Sequence, residues 1–128
     1  MKYYTEGQTN LTFEETIDRV VEALKKEGFG VLTQIDVTAT LKQKLDVDFR
    51  KYRILGACNP PFAYKALQAE DKIGTMLPCN VIVQERDDRR VEVAAVNPLA
   101  SMQAVENEGL AGIAKEIQVR LERVIASL

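Results

Sequence analysis

Two stretches near the ends of this chain repeat their apolar residues at helical spacing, and what lies between them repeats at two. Phe13, Ile17, Val20, Val21 and Leu24 form the first stripe. Ile113, Ile117, Leu121, Val124, Ile125 and Leu128 form the second, with Lys115, Glu116, Arg120, Glu122 and Arg123 outside it. A helix with one apolar stripe must lie against another surface. The first helix has its start and stop signals in place: Thr12-Phe13-Glu14-Glu15 reads as a capping box with Thr12 and Glu15 exchanging bonds with backbone donors, and Lys25-Lys26 precedes Gly28. It is expected over about 13–27. The second follows Asn97-Pro98 and is weakened at its start by Gly109 and Gly112.

The surface these helices need is supplied by strand-like runs. Residues 3–7 suit a short strand, and from Phe29 the period is two. Thr38 can then cap a short helix carrying Leu41 and Leu45, and Asp46-Val47-Asp48 leads into a run from Tyr52 to Ala57. Asn59-Pro60-Pro61 stops that run, with Asn59 as an N-cap for a short helix from Phe62 to Ala69. Asn80–Glu85 and Arg90–Val96 flank Arg86-Asp87-Asp88-Arg89 and read as a hairpin. The order is strand, helix, four strands, helix, with short helices inserted. This predicts an α+β fold, a mostly antiparallel sheet with both long helices on one face.

Period-two alternation assigns Val31, Ile35, Tyr52, Ile54, Val81, Val83, Val91 and Val93 to the helix side. Leu32, Gln34, Arg53, Leu55, Ile82, Gln84, Glu92 and Ala94 then take the other side, a mixture too apolar to stand fully in water. Pairing with a second copy would cover it, since twofold homodimers are the commonest symmetric assembly. Leu32, Leu55 and Ile82 are the expected contacts.

A length of 128 residues suits a single domain, 1–128. Seventeen basic residues against nineteen acidic ones give a net charge of −2, which offers no electrostatic footprint for nucleic acid. Met1-Lys2-Tyr3-Tyr4-Thr5-Glu6 lacks the apolar stretch of a signal peptide and no segment is long enough to span a bilayer, so no membrane association is expected and the cytoplasm is the expected location. Two cysteines are too few for a disulfide scaffold. The chain has no histidine, which removes the Ser-His-Asp triad and the commonest transition-metal ligand together, and no metal is expected.

Tyr52-Arg53-Ile54-Leu55-Gly56-Ala57-Cys58-Asn59-Pro60-Pro61, followed by Leu77-Pro78-Cys79-Asn80-Val81-Ile82-Val83, closely resembles the bacterial and archaeal family known as domain of unknown function 302. Gly28-Phe29-Gly30-Val31-Leu32 and Ile35-Asp36-Val37 resemble its earlier block. The resemblance implies a sheet with one helical layer, similar to the TATA-binding-protein fold, and frequent homodimers. It implies no activity, and fold-level likeness to a DNA-binding saddle carries no function.

The groups left to carry chemistry are few. Cys58 lies between a strand end and the Asn59 cap, where a helix start would acidify a thiol, although a small buried core residue suits the junction equally. Cys79 also precedes an asparagine, and the two Cys-Asn pairs border strands that can be neighbours. Their separation by twenty residues is neither a CxxC motif nor metal-ligand spacing. An anion cradle at the helix after Asn59, with Arg53 and Lys65 near, conflicts with the loss of two N–H donors to Pro60 and Pro61. Gly28-Phe29-Gly30 lacks the following helix of a nucleotide loop, and Asp46 and Asp48 lack the glycine and glutamate of a calcium loop. Haem has no support, its axial ligands being limited to Cys, Met or Tyr, and no cofactor is specified.

Two function classes remain. The favoured one is a non-catalytic module binding a small molecule or a protein through the free sheet face. The alternative is a thiol-dependent redox or transfer enzyme using Cys58 with Cys79. Both place Cys58, Asn59, Cys79 and Asn80 together at one rim of the sheet, with Arg53 as the accompanying cation.

Overall fold

The Thr12 hydroxyl accepts from the Glu15 backbone N–H at 3.1 Å and starts α1 (Phe13–Lys26), whose stripe Phe13, Ile17, Val20 and Leu24 is buried. The reciprocal bond from the Glu15 side chain is absent, and Thr16 takes its place as the second local tie, donating to the Thr12 carbonyl at 2.8 Å. In this computed structural model, which describes residues 1–128, the strands are β1 (Tyr4–Thr9), β2 (Gly30–Asp36), β3 (Tyr52–Cys58), β4 (Cys79–Glu85) and β5 (Val91–Val96). They form one sheet in the order β1-β5-β4-β3-β2, antiparallel throughout. The expected α+β architecture is therefore present.

The short helices differ in detail from the sequence expectation. In α2 (Val37–Leu45) the cap is Asp36, which accepts from the Ala39 N–H at 2.9 Å. Thr38 instead donates to the Arg50 carbonyl at 2.7 Å and accepts from the Tyr52 N–H at 3.0 Å, stitching α2 to the start of β3. Asn59 stands at the N-cap position of α3 (Pro60–Ala69) but makes no capping bond, and Pro61 removes one of the two N–H groups that a cap can hold. A 3₁₀ segment (Asp71–Met76) leads to β4. Beyond β5 the chain makes a one-turn helix, α4 (Pro98–Ser101), and a 3₁₀ turn at Glu108–Leu110 before α5 (Ala111–Ala126).

Helices α1 and α5 lie together on one face of the sheet and share with it a core of eighteen buried residues. Val81, Val83, Val91 and Val93 face the helices as expected. Strands β2 and β3 do not follow the expected assignment. Leu55 and Ala57 are fully buried beneath the helices, so Tyr52 and Ile54 point the other way. The cause in β2 is a bulge: Val31 pairs with Ala57 and Thr33 with Gly56, leaving Leu32 as the extra residue. One inserted residue exchanges the faces beyond it. Ile35 thus pairs with Ile54 on the uncovered side and is half exposed. Leu55 cannot be an intersubunit contact.

Gly56 is fixed by the same crossing. A Cβ there would lie 2.2 Å from the Thr33 hydroxyl and 2.9 Å from the Pro78 ring, so only glycine fits.

This assignment of faces predicts opposite results at adjacent positions. Leu55→Ala should cost about 2–5 kcal/mol in urea unfolding, and Leu55→Asp should fail to fold. Ile54→Asp should retain a native circular dichroism spectrum.

Candidate functional site

Where β3 and β4 end, the sheet floor narrows to small side chains. Ala57 pairs with Cys79, and Cys58 follows one residue later. Helices α3 and α5 approach this end with Ala63, Ala66 and Ala114 facing it. Small residues on three elements leave space between them, and the result is a cavity of about 260 Å³. Sixteen residues line it and thirteen are hydrophobic, with Phe29 and Phe62 as aromatic walls and Leu32 as an exposed rim. Apart from the two thiols, Asn59 is the one polar side chain in the lining.

Cys58, Asn59 and Cys79 are therefore brought to one cavity. Asn80 and Arg53 are not. Asn80 pairs with Gly56 and is exposed on the uncovered face, where it borders a second concavity with Tyr4, Tyr52 and Ile82. Arg53 is five residues before Cys58 along β3, about 17 Å at the strand rise. There it reaches Gln34 at 3.3 Å and Asp36 at 3.5 Å and lies over the Phe13 ring. Its Nε is the one sealed side-chain polar atom without a partner. The sequence pairs each cysteine with an asparagine, but strand alternation sends Asn80 to the opposite face from Cys79.

The electrostatics of the cavity are those of an apolar lining. Burial pushes the Cys79 thiol from 9.0 to about 11, and the neighbouring Cys58 adds to the rise. At neutral pH Cys79 is a protonated, weakly polar group. Pro60 and Pro61 remove two backbone N–H donors from the first turn of α3, beside Cys58. The Asn59 amide turns toward α1 and donates from Nδ2 to the Glu27 carbonyl at 3.3 Å. Arg120 donates to the same carbonyl at 2.9 Å while its guanidinium lies over the Phe62 ring, 5.2 Å from the centroid. Sequence reading did not single out Arg120 as more than a solvated position, nor Phe62 as a wall. The cavity depends on helices distant in sequence, and no local pattern announces it.

No cluster of three or more Cys, Asp or Glu side chains able to hold a metal is present. No helix is long and apolar enough to cross a membrane.

These features describe an α+β protein with one helical layer and an apolar cavity at one end of its sheet. The chain belongs to the family described as domain of unknown function DUF302, which matches residues 5–128. It is similar to a crystal structure of an uncharacterised conserved DUF302 protein from Bacillus stearothermophilus. The two share 31% identity over 98% of each chain, with a TM-score of 0.91. No curated protein matches the chain.

The raised Cys79 pKa has a measurable consequence. The unfolded chain loses the thiol proton near pH 9 and the folded protein near pH 11, so the stability this thiol contributes is whole below 9 and falls as pH rises through 11. Two pKa units correspond to about 2.7 kcal/mol. Urea unfolding of wild type and Cys79→Ala should diverge by an amount of this order between those limits, with the wild type showing the steeper loss.

Proposed function

We propose that this chain is a non-catalytic binding module that holds a small, largely apolar molecule between β3, β4, α3 and α5. The observation that carries this reading is a hydrophobic cavity of about 260 Å³ in which Cys58, Asn59 and Cys79 meet. An apolar cavity of about 150 Å³ is enough to hold benzene. Sulfur and aromatic lining groups are polarizable and suit a ring or a short branched chain. The thiol-enzyme alternative has less support, because it needs an acidified thiol where Cys79 is shifted upward and where two prolines remove donors from the adjacent helix start. The eighteen-residue core draws on both ends of the chain, which supports treating 1–128 as one domain. A reducing cytoplasm suits a binding site with two unpaired thiols.

Toluene is a suitable first probe. At ten times its dissociation constant it should stabilise the fold by about 1.4 kcal/mol, a rise in Tm of roughly 5 °C. Ala114→Leu, which fills the cavity from α5, should abolish that rise without lowering the Tm of the free protein. A rise of equal size in the variant would place binding elsewhere.

We also propose that two copies pair through the uncovered sheet face. Ile35, Ile54, Ile82 and Ala94 are successive cross-strand partners and form one apolar row over four strands. Such a row on an otherwise polar face is what a symmetric interface buries. Ile82→Asp should convert the dimer to monomer by light scattering while leaving the circular dichroism spectrum unchanged. A variant that remains dimeric would move the interface to another surface.

A further inference from the structure

The cavity is not uniformly apolar, and its single departure has a fixed orientation. Asn59 is 5% exposed and lines the cavity. Its Nδ2 donates to the Glu27 carbonyl, which can only accept, so the two ends of the amide cannot be exchanged. The carbonyl end, Oδ1, accepts no bond from α3, whose first two residues are prolines and whose cap is unformed. It is also not sealed, since Arg53 Nε is the one sealed side-chain polar atom without a partner. A side chain that is nineteen-twentieths buried and lines the cavity thus keeps an accessible acceptor that no protein group uses.

Resting on the reading of this cavity as a binding site, we infer that its ligand class is a small aromatic or branched alcohol or amine. The apolar body fills the space between Phe29, Phe62 and the two thiols, and one O–H or N–H donates to Asn59 Oδ1. A pure hydrocarbon would leave that acceptor unpaired in an apolar setting. A carboxylate is disfavoured at Asn59 Oδ1, because it offers no donor at neutral pH and Arg120, the cation tied to the same carbonyl as Asn59, is engaged. Arg120 is held by Glu116 at 3.0 Å and by the Glu27 carbonyl.

Phenol and toluene differ at one position and separate this inference from the reading beneath it. Toluene is the more hydrophobic, so the ratio of their dissociation constants means little in one protein and becomes informative across two. In wild type and Asn59→Leu, the phenol preference, Kd(toluene)/Kd(phenol) by calorimetric titration, should fall roughly 2- to 12-fold in the variant, the range expected for one neutral hydrogen bond. The fold should survive the change because Arg120 still holds the Glu27 carbonyl. As a second readout that needs no variant, phenol should shift the Asn59 side-chain amide resonances of the wild type more than toluene does. Binding of both ligands with an unchanged ratio and equal amide shifts would overturn the donor requirement and leave the cavity reading intact. Failure of both ligands to bind the wild type would overturn the cavity reading and this inference with it.

Discussion

Burial of one sheet face beneath α1 and α5 is the constraint from which the other features of this molecule follow. Leu55, Val81, Val83, Val91 and Val93 meet Val20, Leu24, Leu121 and Val124 in one cluster, each almost completely removed from water. Full burial of such a side chain contributes about 1.5–3 kcal/mol relative to exposure. No pair of surface charges competes with a term of that size: the ion pairs here are largely exposed, and exposed pairs contribute at most about 1 kcal/mol. The helices must therefore sit over the middle strands. The opposite sheet face is left without a helix, and the space at the ends of β3 and β4 is left to α3, α4 and small side chains.

The Glu27 carbonyl then determines how that end is closed. It lies at the last turn of α1, where carbonyls have no partner within the helix. Asn59 from the start of α3 and Arg120 from α5 both donate to it, and Arg123 reaches the Glu27 carboxylate at 3.1 Å. Gly28 makes the meeting feasible. It takes φ +86°, and a Cβ there would lie 3.1 Å from Asn59 Nδ2 and 3.4 Å from Arg120 Nη1. Three elements distant in sequence are tied at one oxygen, and Arg120 braces the Phe62 wall of the cavity from the same position. These polar bonds tie together, at the cavity's edge, the helices whose small side chains leave the space.

How much of this was legible in the sequence depended on whether the signal was local. Helical spacing located α1 and α5, and alternation located the β4–β5 hairpin and its buried valines. Strands β2 and β3 misled for separate reasons. In β3, Ile54 and Leu55 are both apolar, so composition cannot choose between two registers one residue apart. In β2, alternation was read through Leu32, and a bulge there has no mark in a single sequence. Asn59 has the type and position of a cap, yet its amide is drawn to the Glu27 carbonyl instead, and Pro61 removes one of the N–H groups a cap can hold. The cysteines met at one cavity, while Arg53 at the far end of β3 and Asn80 on the other face lay outside it. The cavity itself arises from Ala63, Ala66 and Ala114, residues whose only signal is that they are small.

The two thiols take their character from this arrangement. A cysteine becomes a nucleophile when positive charge or donors stabilise its anion, and several of the groups beside this cavity that could do so are missing or engaged elsewhere. The α3 start presents proline rings, the Asn59 amide donates to Glu27, and Arg120 is committed to Glu27, Glu116 and the face of Phe62. The chain also lacks histidine, the commonest general base. Cys79 responds as a desolvated thiol should, with its pKa raised rather than lowered. The bond that ties the Asn59 amide to the Glu27 carbonyl leaves the amide's Oδ1 unused. An apolar lining that keeps one unused acceptor supports the proposed binding role, because shape and a single donor are enough to select a ligand.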